Sequence, residues 1–159
     1  MAENLTNANT PLAGIKLTTP VVQPAKKAAS KDGFTWGTGR RKTSVARVRI
    51  KPGKGELKIN NRELNNYFTR PQDIDSVTAP LKATKTEKSL DVFVNVSGGG
   101  ITGQSGAVML GIARALKIYD PTLLQALRDG GYLTRDGRMV EIKKPGQSGA
   151  RRRYQFSKR

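Results

Sequence analysis

Apolar residues recur with a period of two in two stretches of the chain, a pattern typical of half-buried β-strands. In residues 44–51, Ala, Val and Ile are separated by Arg47, Arg49 and Lys51. In residues 90–96, Leu and three Val alternate with Asp, Phe and Asn, and the run ends abruptly in three glycines. Each strand is predicted to bury one face. The first would then carry its three cations on the outer face, about 7 Å apart, because alternate strand residues share a face.

Turn and helix signals lie between these two strands. The sequence Lys51-Pro-Gly-Lys-Gly55 predicts a turn, after which Leu57–Ile59 should return as the hairpin partner of the first strand. Two asparagines then cap or turn into a short amphipathic helix predicted over Arg62–Phe68. Within residues 72–88 we expect one or two helical turns, interrupted before Pro80, and then an irregular or extended stretch.

The second half of the chain contains the strongest helix signals. Gln104–Tyr119 has a broad apolar face and should form the main core helix. An Asp-Pro pair then predicts a capped helix over Pro121–Arg128, closed by two glycines. Tyr132–Thr134 and Met139–Glu141 flank an Asp-Gly turn and predict a β-hairpin. Mixed strands and helices with an antiparallel component indicate an α+β fold, a mixed sheet with packed helices.

The two ends of the chain differ from this middle part. Residues 1–35 lack a sustained period and predict a disordered or extended N-terminal arm. Residues 36–142 are predicted to form one globular domain. Residues 143–159 contain seven cations and no acid, so we expect an extended basic tail that does not fold alone.

Composition narrows the class of function. Only 36% of the 159 residues are hydrophobic, and 29 Lys and Arg against 12 Asp and Glu give a net charge of +17. The chain has no cysteine or histidine, which removes disulfides, thiolate or imidazole metal sites and imidazole-dependent catalysis. We therefore expect no enzyme, no cofactor and no metal site. No membrane-length apolar run or secretory pattern occurs, so a soluble intracellular chain with no membrane partner is expected.

The cations are clustered rather than interspersed. Residues 33–55 and the segment after Glu141 hold no acid, yet they carry 14 of the 29 cations. Clustering of this kind creates a field that attracts a polyanion, so nucleic acid is the predicted partner. Trp36, Tyr154 and Phe156 lie within or beside these segments and are candidates for stacking on exposed bases, although Trp36 could instead cap the core.

Two glycine motifs suggest nucleotide binding but fit it poorly. Gly98, Gly100 and Gly103 match GxGxxG between a strand and a helix, yet Asp120, the acid at the right distance, is predicted to be a helix cap. The alternative is that this loop approaches an RNA phosphate. Residues 37–43 have a Lys-Thr pair at the offset of a phosphate-binding loop, but arginine replaces the required second glycine.

Residues 37–43 are better explained as a flexible entry segment. Its two glycines would permit close approach of Arg40, Arg41 and Lys42 to phosphates, and a solvated run of charge is the alternative. The only close acidic pair, Asp73 and Asp75, is predicted to lie on the surface at the start of a helix.

Five ordered sequence blocks resemble the small-subunit ribosomal protein nine family in its bacterial form. They cover residues 36 to 159, and their order and spacing agree with the family. The blocks are Trp36-Gly-Thr-Gly-Arg-Arg-Lys-Thr-Ser44, Ala46-Arg-Val48 with Ile50-Lys-Pro-Gly53, Gly98-Gly-Gly-Ile-Thr-Gly-Gln-Ser-Gly106, Leu133-Thr-Arg-Asp136 and Arg151-Arg-Arg-Tyr-Gln-Phe-Ser-Lys-Arg159.

The resemblance implies a fold like the second domain of ribosomal protein five, with a left-handed βαβ crossover. It also implies a place in the head of the small subunit, on the three-prime major domain of the rRNA and beside neighbouring ribosomal proteins. The tail would reach peptidyl-site tRNA. These are properties of a structural constituent of the cytoplasmic ribosome that supports translation, with an organellar ribosome the less favoured setting.

Residue by residue, two sets of contacts are expected from the cation pattern and the resemblance together. The predicted rRNA-binding residues are Gly37, Gly39, Arg40, Arg41, Lys42, Arg47, Arg49, Lys51, Gly98, Gly99, Gly100, Gln104, Ser105, Lys143, Lys144, Arg151, Arg152 and Arg153. The predicted tRNA-binding residues are Ser157, Lys158 and Arg159. The alternative function is a free-standing nucleic-acid-binding protein, such as an RNA chaperone or a nucleoid packaging protein.

Overall fold

A computed structural model describes residues 33–157, and these residues form one sheet with helices packed against it. The strands are β1 Thr35–Arg41, β2 Ser44–Pro52, β3 Leu57–Ile59, β4 Arg62–Glu63 and β5 Leu90–Ser97. The helices are α1 Leu64–Tyr67, α2 Pro71–Ala83, α3 Ile101–Tyr119 and α4 Leu124–Asp129, the last preceded by a 3-10 turn over Pro121–Leu123. The predicted N-terminal arm falls almost wholly outside the described residues.

The sheet is mixed and has the strand order β1-β2-β5-β3-β4. β2 is antiparallel to both β1 and β5, whereas β3 is parallel to β5. The connection from β3 to β5 contains α1 and α2, so this connection is the βαβ crossover for which a left hand is expected. The α+β class with a mixed sheet is confirmed, while the handedness and the finer fold name stay predictions.

The core lies between one face of the sheet and the helices. α3 packs across β1 and β2, and α2 packs against α3. The inward side chains of the strands meet the apolar face of α3, and burial of this apolar surface stabilises the layers against each other. The largest fully buried side chains are Phe68, Ile50, Ile59, Leu110, Ile112, Leu116, Leu127, Val48, Val77, Val92, Val94 and Val108.

The predicted hairpin between β2 and β3 is wrong. β5 lies between them and pairs with β2 over eight residues, from Val45 opposite Ser97 to Pro52 opposite Leu90. The Asp91 carboxylate accepts hydrogen bonds from the backbone N–H groups of Lys54, Gly55 and Glu56 at 2.8, 3.1 and 3.1 Å. This carboxylate holds the loop after β2 against the start of β5, and the chain re-enters the sheet on the far side of that strand.

The predicted interruption of the helix before Pro80 is also wrong. α2 continues for 13 residues through Pro80, beginning with Pro71 in its first turn. An internal proline removes one backbone hydrogen bond. Val77, Pro80 and Leu81 are all buried, and this apolar contact offsets the loss.

The predicted hairpin over residues 132–141 does not form. No strand follows β5 in the described part of the chain. Val140 is 84% exposed and Met139 62%, so these apolar side chains find no layer to pack against. Asp136, in the predicted turn, pairs with Arg41 and Arg138 instead. An Asp-Gly turn is a local preference, and without a buried face it does not establish strand pairing.

Candidate nucleic-acid interface

The helices cover one face of the sheet, and the opposite face carries the cations of β2. The register sets Trp36, Arg49 and Phe93 in one row across β1, β2 and β5. The neighbouring row contains Thr38, Arg47 and Asn95. The predicted inner and outer faces of the strand over 44–51 are confirmed, because Ala46, Val48 and Ile50 are fully buried.

The three outward cations of β2 have different surroundings. The Arg49 guanidinium lies 5.3 Å from the ring centre of Phe34 and 5.4 Å from that of Phe93. The Lys51 ammonium lies over the same two rings and 3.8 Å from the Asp91 carboxylate. Arg47 is exposed and has no ion pair or ring contact among the described residues. It is therefore the β2 cation most open to a phosphate.

Gly37 and Gly39 lie in β1, which corrects the prediction of a flexible entry segment. Both are buried under α3. A Cβ atom on Gly37 would overlap the carbonyl oxygen of Gly111, and one on Gly39 would overlap that of Ala107. The glycines therefore permit close approach of a helix rather than of RNA. The sequence signal for this packing is the run of small residues on α3 at a spacing of four, Ala107, Gly111 and Ala115.

The basic triplet at the end of β1 separates into two environments. Arg40 and Lys42 are exposed, and Lys42 sits at the β1–β2 turn with a φ of 51°. Arg41 turns inward, packs against Gly106 and forms a 3.1 Å ion pair with Asp136. Its side chain is 28% exposed. This ion pair makes Arg41 less available to a phosphate than the exposed Arg40 and Lys42 are.

The loop of Gly98, Gly99 and Gly100 is exposed and joins β5 to α3. Gly98 and Gly99 have φ values of 73° and 63°, which favour glycine. The loop packs against the β1–β2 turn, where Ser44 Oγ donates a hydrogen bond to the Gly98 carbonyl at 3.1 Å. The exposed Lys42 and this loop therefore lie at the same end of the sheet.

Gln104 and Ser105 follow this loop but differ in access. Gln104 is half-buried, donates to the Gly98 carbonyl at 3.0 Å and accepts from the Tyr67 hydroxyl at 2.7 Å. Ser105 is 2% exposed, and its hydroxyl donates to Asp73 Oδ1 at 2.8 Å. Asp73 is itself only 5% exposed. The Ser105 side chain is thus enclosed in this fold and its hydroxyl is already engaged, and the prediction that Asp73 is a surface charge is wrong.

The glycine motif lacks the other parts of a dinucleotide site. Asp120 accepts hydrogen bonds from the Thr122 N–H and hydroxyl at 3.0 and 2.8 Å, which confirms its predicted role as a cap. No strand follows α3 among the described residues, so no second parallel strand carries an acid beside the loop.

Two acidic residues near the start of the tail, Asp136 and Glu141, form ion pairs with neighbouring cations. The Arg138 side chain and N–H, together with the Arg41 charge, hold the pKa of Asp136 well below its usual range. Lys144 and Arg151 each contact Glu141 at 2.8 Å and lower its pKa. The Asp136 pair ties this segment to Arg41 at the end of β1, and the Glu141 pairs lie within the first part of the tail.

The described part of the tail is almost entirely exposed. Its exposed cations are Lys143, Lys144, Arg151, Arg152 and Arg153. Tyr154 and Phe156 are 65% and 97% exposed and therefore do not join the core. Ser157 is exposed, while Lys158 and Arg159 lie outside the described residues.

Residues 33–157 contain no membrane-spanning helix and no cluster of metal-ligating side chains. None of the helices there combines the length and the apolar composition that a membrane crossing needs. No group of three or more Asp and Glu side chains in this part of the chain is placed to hold a metal ion.

Comparison with known proteins identifies close relatives over most of the chain. The profile of the family described as ribosomal protein S9/S16 matches residues 39–159. Small ribosomal subunit protein uS9 of Rhodopirellula baltica is 52% identical over 128 residues, which is 80% of this chain and 93% of that protein. The protein of the same name from Treponema pallidum is 56% identical over 123 residues, 77% of this chain and 95% of that protein.

Proposed function

The chain belongs to the ribosomal protein S9/S16 family, and from this premise we propose that it is a structural constituent of the small ribosomal subunit. In this role it binds rRNA of the three-prime major domain in the subunit head, beside neighbouring ribosomal proteins. Its work is architectural and not catalytic. The ribosome of the cytoplasm is the proposed location.

The observation that carries the rRNA proposal is the placement of exposed cations on one side and one end of the sheet. Arg47 lies on the open face, Arg40 at the end of β1, and Lys42 at the turn beside the glycine loop. Side chains of this kind neutralise phosphates and fix a protein's position on RNA. Gly98, Gly99 and Gly100 add an exposed backbone at the same end, where a phosphate can approach closely.

The basic tail has a second role in this proposal. Lys143, Lys144 and the arginines at 151–153 neutralise rRNA phosphates along its path. Ser157, Lys158 and Arg159 at its end contact peptidyl-site tRNA. A cationic tip can neutralise tRNA phosphates without reading the anticodon, whose sequence differs from one tRNA to the next.

The rRNA proposal is tested by salt-dependent binding of the full chain to two RNAs. One is the isolated three-prime major domain of small-subunit rRNA, and the other is an unrelated structured RNA of equal length. We expect the rRNA to bind more tightly, with an advantage that survives increasing salt. Equal affinity for both RNAs at every salt concentration would favour the free-standing nucleic-acid binder instead.

The tail proposal is tested by deleting residues 157–159. Small subunits that contain the truncated protein should assemble normally but retain peptidyl-site tRNA less well. Replacing Gln155 alone by Ala is the matched control, since it leaves all three terminal residues in place. Normal tRNA retention after the deletion would reject the tail assignment while leaving rRNA binding intact.

A further inference from the structure

Trp36 is a large aromatic side chain on the open face of the sheet. It alternates with the buried Thr35 and Gly37 along β1, so its ring points away from α3. The residue is 50% exposed. It takes part in no ring contact, cation–π pair or side-chain hydrogen bond within the described residues. The alternative of a core cap therefore does not apply.

The residues beside Trp36 form a pre-ordered aromatic and cationic surface. Arg49 is its cross-strand partner, and Phe93 follows in the same row. Phe34 and Phe93 meet edge to face with ring centres 6.2 Å apart, and the Arg49 guanidinium lies over both. Rings and a guanidinium that hold each other in place need little further ordering when a ligand arrives.

The free cation Arg47 lies at a diagonal position from Trp36. It belongs to the adjacent strand and to the next row of outward residues. Standard strand spacing places the two Cα atoms about 8 Å apart on the same face. The Trp36 ring can stack on the base of a nucleotide, and the Arg47 guanidinium can neutralise the phosphate of the same nucleotide. Arg47 also lines a shallow depression with Asn95 and Ser97, which offer polar groups beside it.

We propose that Trp36 is a stacking site for one unpaired rRNA base, whose phosphate Arg47 neutralises. This inference rests on the proposed function, because it specifies which feature of the rRNA the open sheet face takes. The base is unpaired because the faces of paired bases are hidden within the helical stack, whereas a looped-out base exposes its π-face.

Trp36 is the only tryptophan in the chain, so its fluorescence reports on this site alone. The experiment titrates the full chain with the three-prime major domain rRNA and follows tryptophan emission, while filter binding measures affinity in parallel. A fully paired RNA duplex of similar length is the comparison ligand. We expect quenching by the rRNA that saturates with binding, and little quenching by the duplex at equal occupancy.

Variants separate stacking from general contact. Trp36→Ala should weaken rRNA binding by about 5- to 150-fold, the range expected for loss of one stacked base. Trp36→Phe retains a ring and should recover most of that loss. Thr38→Ala, at the next outward position of β1, is the matched control and should bind as the unmodified chain does. Circular dichroism checks that each variant is folded.

The outcomes distinguish this inference from the proposed function. If the rRNA binds specifically while Trp36 emission does not change, or if Trp36→Ala binds normally, the stacking site is refuted and the ribosomal role stands. Equal quenching by the duplex would refute recognition of an unpaired base. If the chain shows no preference for the rRNA, the proposed function itself fails.

Discussion

Replacing Gly39 by Ala should destabilise the fold strongly, because the added methyl group would overlap the backbone of α3. Gly39 lies in β1 beneath α3, and a Cβ atom there would sit 2.5 Å from the Gly111 nitrogen and closer still to the Ala107 carbonyl oxygen. Both obstacles are backbone atoms of a 19-residue helix, so no side chain can rotate away. The helix and the strand must move apart.

The magnitude follows from the cost of overpacking. Extra methylene groups in well-packed cores cost about 1–3 kcal/mol, and occasionally more. Because the clash is with helix backbone, we expect at least about 3 kcal/mol for Gly39→Ala. For a domain of about 100 residues, each kcal/mol lowers the melting temperature by roughly 4–8 °C. The melting temperature should therefore fall by more than about 10 °C.

Thermal and urea unfolding, followed by circular dichroism, measure this effect. The matched control is Gly137→Ala, because a Cβ atom there meets nothing within 4 Å and the residue has no positive φ. Its melting temperature should stay close to that of the unmodified chain. If Gly39→Ala were as stable as the control, the contact between β1 and α3 would be wrong, and residues 37–43 would return to the interpretation as an entry segment.

Three further predictions concern buried polar groups, acid and salt. Within the described residues, Ser105 donates the only hydrogen bond to the buried Asp73 carboxylate, and Ser105→Ala removes it. The free energy of unfolding in urea should therefore drop by about 1–3 kcal/mol. An unchanged urea midpoint would contradict this. The pKa of Asp91 is lowered from its ordinary 3.8 by hydrogen bonds from the N–H groups of Glu56, Lys54 and Gly55 and by the Lys51 charge. The stabilisation that ionised Asp91 gives the fold is therefore present above pH 3.8 and disappears as the pH falls toward the lower folded-state pKa. Melting temperatures should therefore fall in acid, and less so in Asp91→Asn, whereas an identical acid dependence of both proteins would refute this role. Arg47→Ala should reduce the slope of log affinity for rRNA against log salt by about one, because a phosphate contact is lost. Arg41→Ala should leave this slope unchanged, because the Arg41 charge is already paired with Asp136. Equal slopes for the two variants would refute the proposal that Arg47 is the available cation.

Patterns with a strong period predicted the local elements well. The strands over 44–51 and 90–96 and the helix ending at Tyr119 form as expected, because each buries a face that its own sequence defines. The Asp120 cap is equally local. What local patterns could not show is which strands become neighbours. The observed order brings together groups far apart in the sequence, such as the Asp91 carboxylate and the backbone N–H groups 35 to 37 positions before it.

In the candidate site, too, the sequence predicted local features but not the contacts between distant residues. Alternation placed Arg47 and Arg49 on the outer face, but it could not show that Phe34 and Phe93 engage Arg49 and leave Arg47 free. Arg40, Arg41 and Lys42 form one basic run in the sequence, yet Arg41 pairs with an acid 95 positions away. Charge runs therefore indicated the class of partner, while the three-dimensional contacts decide which cations are available to it.

Sedimentation of a native extract through sucrose gradients tests the central claim most directly. The protein is followed by mass spectrometry in moderate salt and after a high-salt wash. A structural constituent should migrate with the small ribosomal subunit in both conditions, because an embedded protein resists a wash that removes loosely held phosphate-binding proteins. Release into the soluble or DNA-bound fractions in high salt would contradict a structural place in the subunit.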